Sequence, residues 1–329
     1  MSAGLGTLLA RALARRAPLR ASGETTAFRW VNGSADGLPG VTLDLFDDVA
    51  VVSGHDVADL RPVAEAAAAL VPLCAAYAKY RPKEARTVQA EQGIRAPRTP
   101  LWGSTAEEVD VREGGLTYRI RPAAGLAVGL YLDMREARTW LRAQARGCTV
   151  LNCFAYTCGF AVAARAGGAA RVLNIDLSRR SLDWGEENAR LNGQAAERAD
   201  HLAGDVFEWL GRLARRADRF EVVVLDPPGF ARSHAGTFSA ARDWPRLAEA
   251  AAALVAPEGI LLAACNVAAL PGRRFDAALA AGIRRVGRSA TDLARPGASP
   301  IDFPTPRGEE PPLKVRALRL GVVTSRSGR

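Results

Sequence analysis

The ten residues VLNCFAYTCG, Val150–Gly159, govern how the rest of the chain is read. An apolar run beginning Val150-Leu151 ends here in a turn that opens a helix, and the next apolar run closes at Asp176, about twenty residues on. Parallel sheets bind ligands at the carboxyl ends of their strands, where one acid can accept from both hydroxyls of a ribose. The turn is poor in glycine and contains no G-x-G-x-x-G. A pyrophosphate needs close backbone approach and helix-terminal N–H groups, so a dinucleotide is disfavoured and a nucleoside cofactor without phosphates is expected. Asp205, ending HLAGD after the third strand, is placed to reach an adenine amino group. Either acid alone serves equally well as a helix N-cap. Together at successive strand ends, with Asp226-Pro227-Pro228 at the fourth, they point to a ligand site.

Outward from this segment the same alternation continues. The runs Arg171 to Ile175, Val222 to Leu225 and Ile260 to Ala263 are separated by amphipathic stretches, which predicts an α/β fold with a parallel sheet covered on both faces. One such stretch, Arg179 to Leu191, carries Ser178 as its N-cap and Asn192-Gly193 as its stop. Val315 to Val323 reads as closing antiparallel strand. Toward the N-terminus, Phe28 to Val52 alternates around Gly37, Pro39 and Asp47-Asp48 as strands and turns, and an Ala-rich helix follows at Pro62 to Leu70. Arg81 to Glu108 lacks either period, so the boundary falls there. The expected organisation is a basic arm over 1–24, a small α/β domain over 25–105 and a Rossmann-like domain over 106–329.

Of the 329 residues 48% are hydrophobic, yet charges interrupt each apolar run well short of the roughly 20 residues of a membrane span. Lys and Arg number 44 against 35 Asp and Glu, a net charge of +9 that favours phosphate-rich partners and also suits an Arg- and Ala-rich coding bias. Cys74, Cys148, Cys153, Cys158 and Cys265 form no CxxC pair, so neither a disulfide framework nor a metal site is expected, and a reducing cytoplasm fits. Arg11, Arg15, Arg16 and Arg20 occur without an acid, as in a transit peptide, but without the apolar core of a secretory signal. A basic amphipathic helix on the folded protein is the preferred reading.

Tyr131-Leu132-Asp133-Met134-Arg135 with Arg138, then LNCFAYTCGF, NIDLS with LDWGEENARLNG, and VVVLDPPGF resemble successive motifs of the bacterial large-subunit ribosomal RNA methyltransferases. The resemblance spans roughly residues 25 to 320. It implies a class I Rossmann-like sheet binding S-adenosylmethionine (SAM), a small N-terminal α/β domain and an RNA partner. It implies a cofactor wall from Tyr131, Asp133 and Arg135, lined by Phe154 and Tyr156, with Asp176 on the ribose and Asp205 on the adenine. Asn152, Gly159, Leu177, Val206, Asp226 and Pro227 complete the cofactor set. Cys158 stands where these relatives usually carry glycine, and the RNA-binding PUA domain of one branch is missing.

Two branches compete, with SAM-dependent methylation of a non-RNA substrate as the remaining alternative. Cytosine C5 is a weak nucleophile and needs a thiolate to add at C6. Cys265, ending GILLAAC, occupies the position of the relatives' nucleophilic cysteine, while Cys74, Cys148 and Cys153 read as small core residues. The cytosine pattern there is Ser-Cys-Ser; this chain has Ala264-Cys265-Asn266, and Asn266 matches the guanine-N7 branch, as do LDW at 182–184 and TFSAARDW at 237–244. Guanine N7 needs no thiol, which would make Cys265 inert packing. Asp226 is a candidate acceptor for a base amino group, the Pro227-Pro228 pair stiffens its turn, and Phe230 is a candidate stacking platform or a filler between sheet and helix. Lys314 and Arg273-Arg274 are candidate phosphate contacts.

Overall fold

The computed structural model describes residues 2–81, 95–233 and 236–322, and elements are numbered among these. They form two compact units, Met1–Arg135 with Ser299–Glu309 and Glu136–Ala298 with Glu310–Arg329.

In the first unit, α1 (Ser2–Arg15) and α2 (Ala17–Arg20) precede a five-stranded sheet of β1 (Ala27–Asn32), β2 (Val41–Phe46), β3 (Val49–Gly54), β4 (Ala75–Tyr80) and β5 (Trp102–Gly103), in that order. Only β3 and β4 pair in parallel, and α3 (Arg61–Ala68) makes the crossover between them. Leu5, Leu9 and Ala12 recur at helical spacing on α1 and pack into the core with Trp30, whose indole N–H donates to Leu9 O at 2.8 Å. The arm is therefore an amphipathic helix integral to this unit. Arg16 is fully buried against Asp36 at 2.6 Å, and Arg15 reaches the same carboxylate at 2.8 Å. Of the four arginines, Arg11 and Arg20 are exposed.

The expected boundary near residue 105 lies too early. β6 (Val109–Glu113) and β7 (Leu116–Ile120) form a hairpin whose Gly114-Gly115 turn has φ of 56° and 76°, the left-handed pair a two-residue hairpin loop demands. The hairpin is tied to the first unit by Thr26 N–H to Arg112 O at 2.9 Å and Arg112 N–H to Thr26 Oγ1 at 3.0 Å. Composition marks where regular structure pauses, whereas these long-range bonds decide where a unit ends. Part of the irregular stretch, 82–94, lies outside the described residues, as does Val323.

The second unit begins within α4 (Arg135–Gln144) and contains a seven-stranded sheet. Its strands are β8 (Thr149–Cys153), β9 (Arg171–Asp176), β10 (His201–Ala203), β11 (Phe220–Leu225), β14 (Val255–Cys265), β15 (Ala290–Ala294) and β16 (Lys314–Leu320). They are ordered β10-β9-β8-β11-β14-β16-β15, the first five parallel and the last two antiparallel additions. The helices α5 (Gly159–Ala166), α6 (Arg179–Leu191), α7 (Val206–Arg215), α8 (Ala240–Ala252) and α9 (Gly272–Arg285) follow the parallel strands, and a small β12 (Phe230–Ser233) and β13 (Gly236–Ser239) hairpin precedes α8. Alternate residues Leu151 and Cys153, Leu173 and Ile175, Val223 and Leu225, and Leu261, Ala263 and Cys265 share one core with α7, α8 and α9. From β8 the chain runs outward through β9 and β10, then returns to β11 on the other side. That reversal places the topological switch point at the carboxyl ends of β8 and β11.

Candidate cofactor and active site

The loop after β8 carries unusual backbone. Phe154, Tyr156 and Cys158 have φ of 59°, 49° and 59°, left-handed values that cost non-glycine residues energy and that cluster at functional sites. Three bonds hold it there. Ala155 N–H donates to Ile175 O at 2.9 Å, Tyr156 N–H to Asp176 Oδ2 at 2.8 Å, and the buried Asn188 Nδ2 on α6 to Thr157 O at 2.9 Å. Cys158, the departure from glycine, fits because Gly185 on α6 faces it: a Cβ on Gly185 would lie 2.7 Å from Cys158 Cβ and nearer still to its Sγ. Burial pushes the Cys158 thiol far above the usual range, so it is packing and not a reactive group.

Asp176 at the end of β9 is half-buried. Its Oδ2 accepts from Tyr156 and its Oδ1 from the Ser178 N–H at 2.8 Å. A carboxylate has about four acceptor positions, so each oxygen keeps one for a ribose hydroxyl. Desolvation raises its pKa, and the two N–H donors oppose that rise. Leu177 beside it is 54% exposed, an apolar surface of the kind an adenine ring covers. Asp205 caps α7, its Oδ1 accepting from Phe207 N–H at 2.9 Å and Glu208 N–H at 3.2 Å, so the capping role and the ligand role are compatible on its two oxygens. The model of the SAM-dependent methyltransferase family matches residues 55–289.

The chain belongs to this family.

A ribosomal RNA large subunit methyltransferase of Deinococcus radiodurans is 33% identical over 290 residues, covering 87% of this chain and 71% of the relative. A ribosomal RNA large subunit methyltransferase I of Alteromonas mediterranea is 32% identical over 287 residues, 87% and 72% of the two chains. Among solved structures, a protein described as a methyltransferase in complex with S-adenosylhomocysteine superposes with a TM-score of 0.85 at 26% identity, over 97% of this chain and 81% of that one. This methyltransferase therefore uses SAM, and the half-buried carboxylate with open lone pairs and the phosphate-free turn suit that cofactor's nucleoside.

The other expected cofactor residues divide by burial. Phe154 and Tyr156 are part-exposed, Phe154 leaning on Phe238 and Tyr156 on Trp184 with ring centroids 6.1 and 6.3 Å apart. Gly159 opens α5. Asn152 does not face a ligand: it is buried, donating its Nδ2 to Asn174 Oδ1 at 2.9 Å across the β8–β9 pair. The Val206 side chain is core, which leaves only its main chain to contribute. Tyr131, Asp133 and Arg135 lie in the first unit, Tyr131 half-exposed. Arg135 is buried, and its guanidinium donates to Asp302 and to Ala27 O at 3.5 Å, so it also braces that unit's interior.

On the substrate side, Asp226 follows β11 part-buried, Pro227 is buried, and Pro228 and Phe230 are exposed, Phe230 at 55%. Cys265 ends β14, the strand beside β11, in a register that sets Leu225 opposite Ala263. It is 1% exposed and belongs to the core shared with Leu270 and Phe275, while Asn266 next to it is exposed. Lys314 also has internal partners. It is buried, and its ammonium donates to Val267 O at 2.8 Å and Pro312 O at 2.9 Å, which clamps two loops and leaves one of its three N–H groups uncommitted. Arg273 and Arg274 are exposed at the start of α9. Sequence reasoning missed Asn174, Gly185 and Asn188, which act only through pairings that a linear reading does not contain. Among the described residues no helix is long and apolar enough to cross a membrane.

Proposed function

We propose that this methyltransferase transfers the methyl group of SAM to a base of large-subunit ribosomal RNA. The observation that carries the reading is the exposed Pro228 and Phe230 just past Asp226 and Pro227 at the end of β11, on one side of the switch point, with Asp176 at the end of β9 on the other. The names of the relatives and the +9 charge support RNA as partner, and a ribosomal substrate fits a cytoplasmic location. Bound SAM supplies a sulfonium-activated methyl group, so the chain has to align a nucleophilic atom and exclude water. An extruded base would stack on Phe230 and donate an amino hydrogen to Asp226, with the two prolines keeping that wall rigid.

Two observations bear on the target atom. The place of Cys265 at the end of β14 supports cytosine C5. There the thiolate adds to C6, C5 takes the methyl group, and loss of the C5 proton expels the thiolate and restores the ring. The burial of Cys265 and the flanking Ala264 and Asn266 support guanine N7, whose lone pair takes the methyl group directly. Mass spectrometry of rRNA nucleosides with and without the protein separates 5-methylcytosine from 7-methylguanosine, and loss of neither mark defeats the RNA reading. Under the cytosine reading Cys265→Ala abolishes turnover while SAM still binds, and 5-fluorocytosine RNA traps the wild-type protein covalently. Continued 5-methylcytosine formation by Cys265→Ala removes the nucleophile assignment.

A further inference from the structure

The two part-exposed rings of the loop after β8 lean on different elements. Tyr156 rests on Trp184 of α6, whereas Phe154 rests on Phe238 of β13, their ring centroids 6.1 Å apart. Phe238 is 6% exposed and belongs to the core that the sheet shares with α7, α8 and α9. It also meets Phe207 at the start of α7, again at 6.1 Å, and the Arg246 guanidinium of α8 lies 4.0 Å over the Phe207 ring. Phe207 is the residue whose N–H donates to Asp205 at 2.9 Å. One side chain therefore touches the loop held by Asp176 and, through Phe207, the helix start capped by Asp205.

Phe238 also belongs to the β12–β13 hairpin, in a register that sets Phe230 opposite Ser239. Paired residues share a face of the ribbon and successive residues alternate, so Phe230 and Phe238 project from opposite faces. Their exposures agree: Phe230 is 55% exposed and Phe238 is buried. Ala240 N–H donates to Gly229 O at 3.0 Å at the base of the hairpin, and Ser239 N–H donates to Asp243 Oδ2 at 2.8 Å on α8. The ribbon that presents Phe230 outward thus lays its other aromatic ring on Phe154. Phe154 has φ of 59°, a backbone that surrounding contacts must hold. A ligand covering the open side of that ring restricts it further, and a group packed on its other side loses freedom with it. A second ligand docking on that group then has less left to order, which is positive coupling without a change of shape.

We propose that Phe238 is a positioning residue that couples the cofactor site to the substrate platform: a filled cofactor site steadies Phe154, and Phe238 carries that restraint into the hairpin that sets Phe230 for the base. The proposal rests on the RNA reading above and on the expected place of Phe154 beside the cofactor, and it adds an order, cofactor before base. The Tyr156–Trp184 pair makes the same kind of contact with α6 instead of the hairpin, and so supplies an internal control.

The test uses the full-length chain with saturating S-adenosylhomocysteine, read by hydrogen exchange of the amides in β12, β13 and the loop after β8. In wild type the ligand should slow exchange in both regions by about fivefold or more. Phe238→Leu removes the ring and keeps an apolar core residue; there the loop should still be slowed and the hairpin should not. Phe154→Leu should uncouple the hairpin from the other side of the contact. Coupling is reciprocal, so ligand affinity in Phe238→Leu should fall by no more than the coupling lost, about fivefold. Trp184→Leu should weaken the ligand by a comparable factor and leave the hairpin response intact. With a ribosomal RNA fragment, the ligand should tighten RNA binding about fivefold in wild type and not in Phe238→Leu. Hairpin slowing that survives in folded Phe238→Leu and Phe154→Leu overturns the proposal. So does a wild-type hairpin indifferent to the ligand, or an equal loss of the response in Trp184→Leu, which would mark general loosening. If wild type binds no RNA with or without the ligand, the RNA reading falls, and the exchange result still decides the coupling.

Discussion

The buried carboxylates of the first unit and the strand-end carboxylates of the second are used in opposite ways. In the first, Asp36, Asp44 and Asp302 are committed to guanidinium groups, Asp36 to two of them. In the second, Asp176 and Asp205 at the strand ends accept only from main-chain N–H groups. A carboxylate locked by arginine is a strut, whereas one held by backbone donors is oriented without being used up. The comparison breaks most visibly at Asp36. Asp36→Ala leaves Arg16 charged and wholly buried, so the first unit should lose about 3–5 kcal/mol of stability, read by chemical denaturation. A loss under about 1 kcal/mol would mean that the pair is not what secures α1.

A second test lies inside the catalytic unit, where shape replaces charge. Cys158 and Gly185 occupy one space, so Gly185→Ala should cost about 1–3 kcal/mol through overpacking. Adding Cys158→Gly should restore most of it, since the second change empties the volume the first one needs and also relieves a left-handed non-glycine residue. Additive losses in the double variant would show that the two side chains do not share that space.

How far the sequence could be read follows the same division. β8, β9 and β11, α6 with its Ser178 cap and Asn192-Gly193 stop, and the strand-end acids were legible because each depends on a local period or cap. The internal partners of Arg135 and Lys314 were not legible, because a basic residue in a motif looks the same whether it meets a ligand or a group across the fold. The reach of the first unit to Arg135 and its recovery of Ser299–Glu309 were illegible for the same reason. Asp302, which anchors that returning segment, has its partners at Arg29 and Arg135, far away along the chain.

The finest test of the comparison is the pH dependence of cofactor binding, where an oriented carboxylate behaves differently from a locked one. Desolvation holds the Asp176 pKa above the ordinary carboxylate value, with the Ser178 and Tyr156 N–H groups limiting the rise. The sign for ligand binding follows from the donors: ribose hydroxyls give hydrogen bonds to the ionised form, so SAM binds the deprotonated protein and pulls the pKa down. Affinity should be flat above the raised pKa and fall by up to about tenfold per pH unit below it. The sign for the cofactor-free fold is the reverse. A folded pKa above the unfolded one contributes stability that is present below the unfolded value and lost as pH rises through the folded one. Asp176→Asn should bind SAM about tenfold or more weakly at neutral pH, since one acceptor becomes a donor, and its affinity should not vary across the same acid window. Calorimetry from pH 4 to 7 on both proteins measures this. If Asp176→Asn shows the same acid limb as wild type, some other group titrates there, and Asp176 would rank with Asp36 and Asp44 as a structural strut.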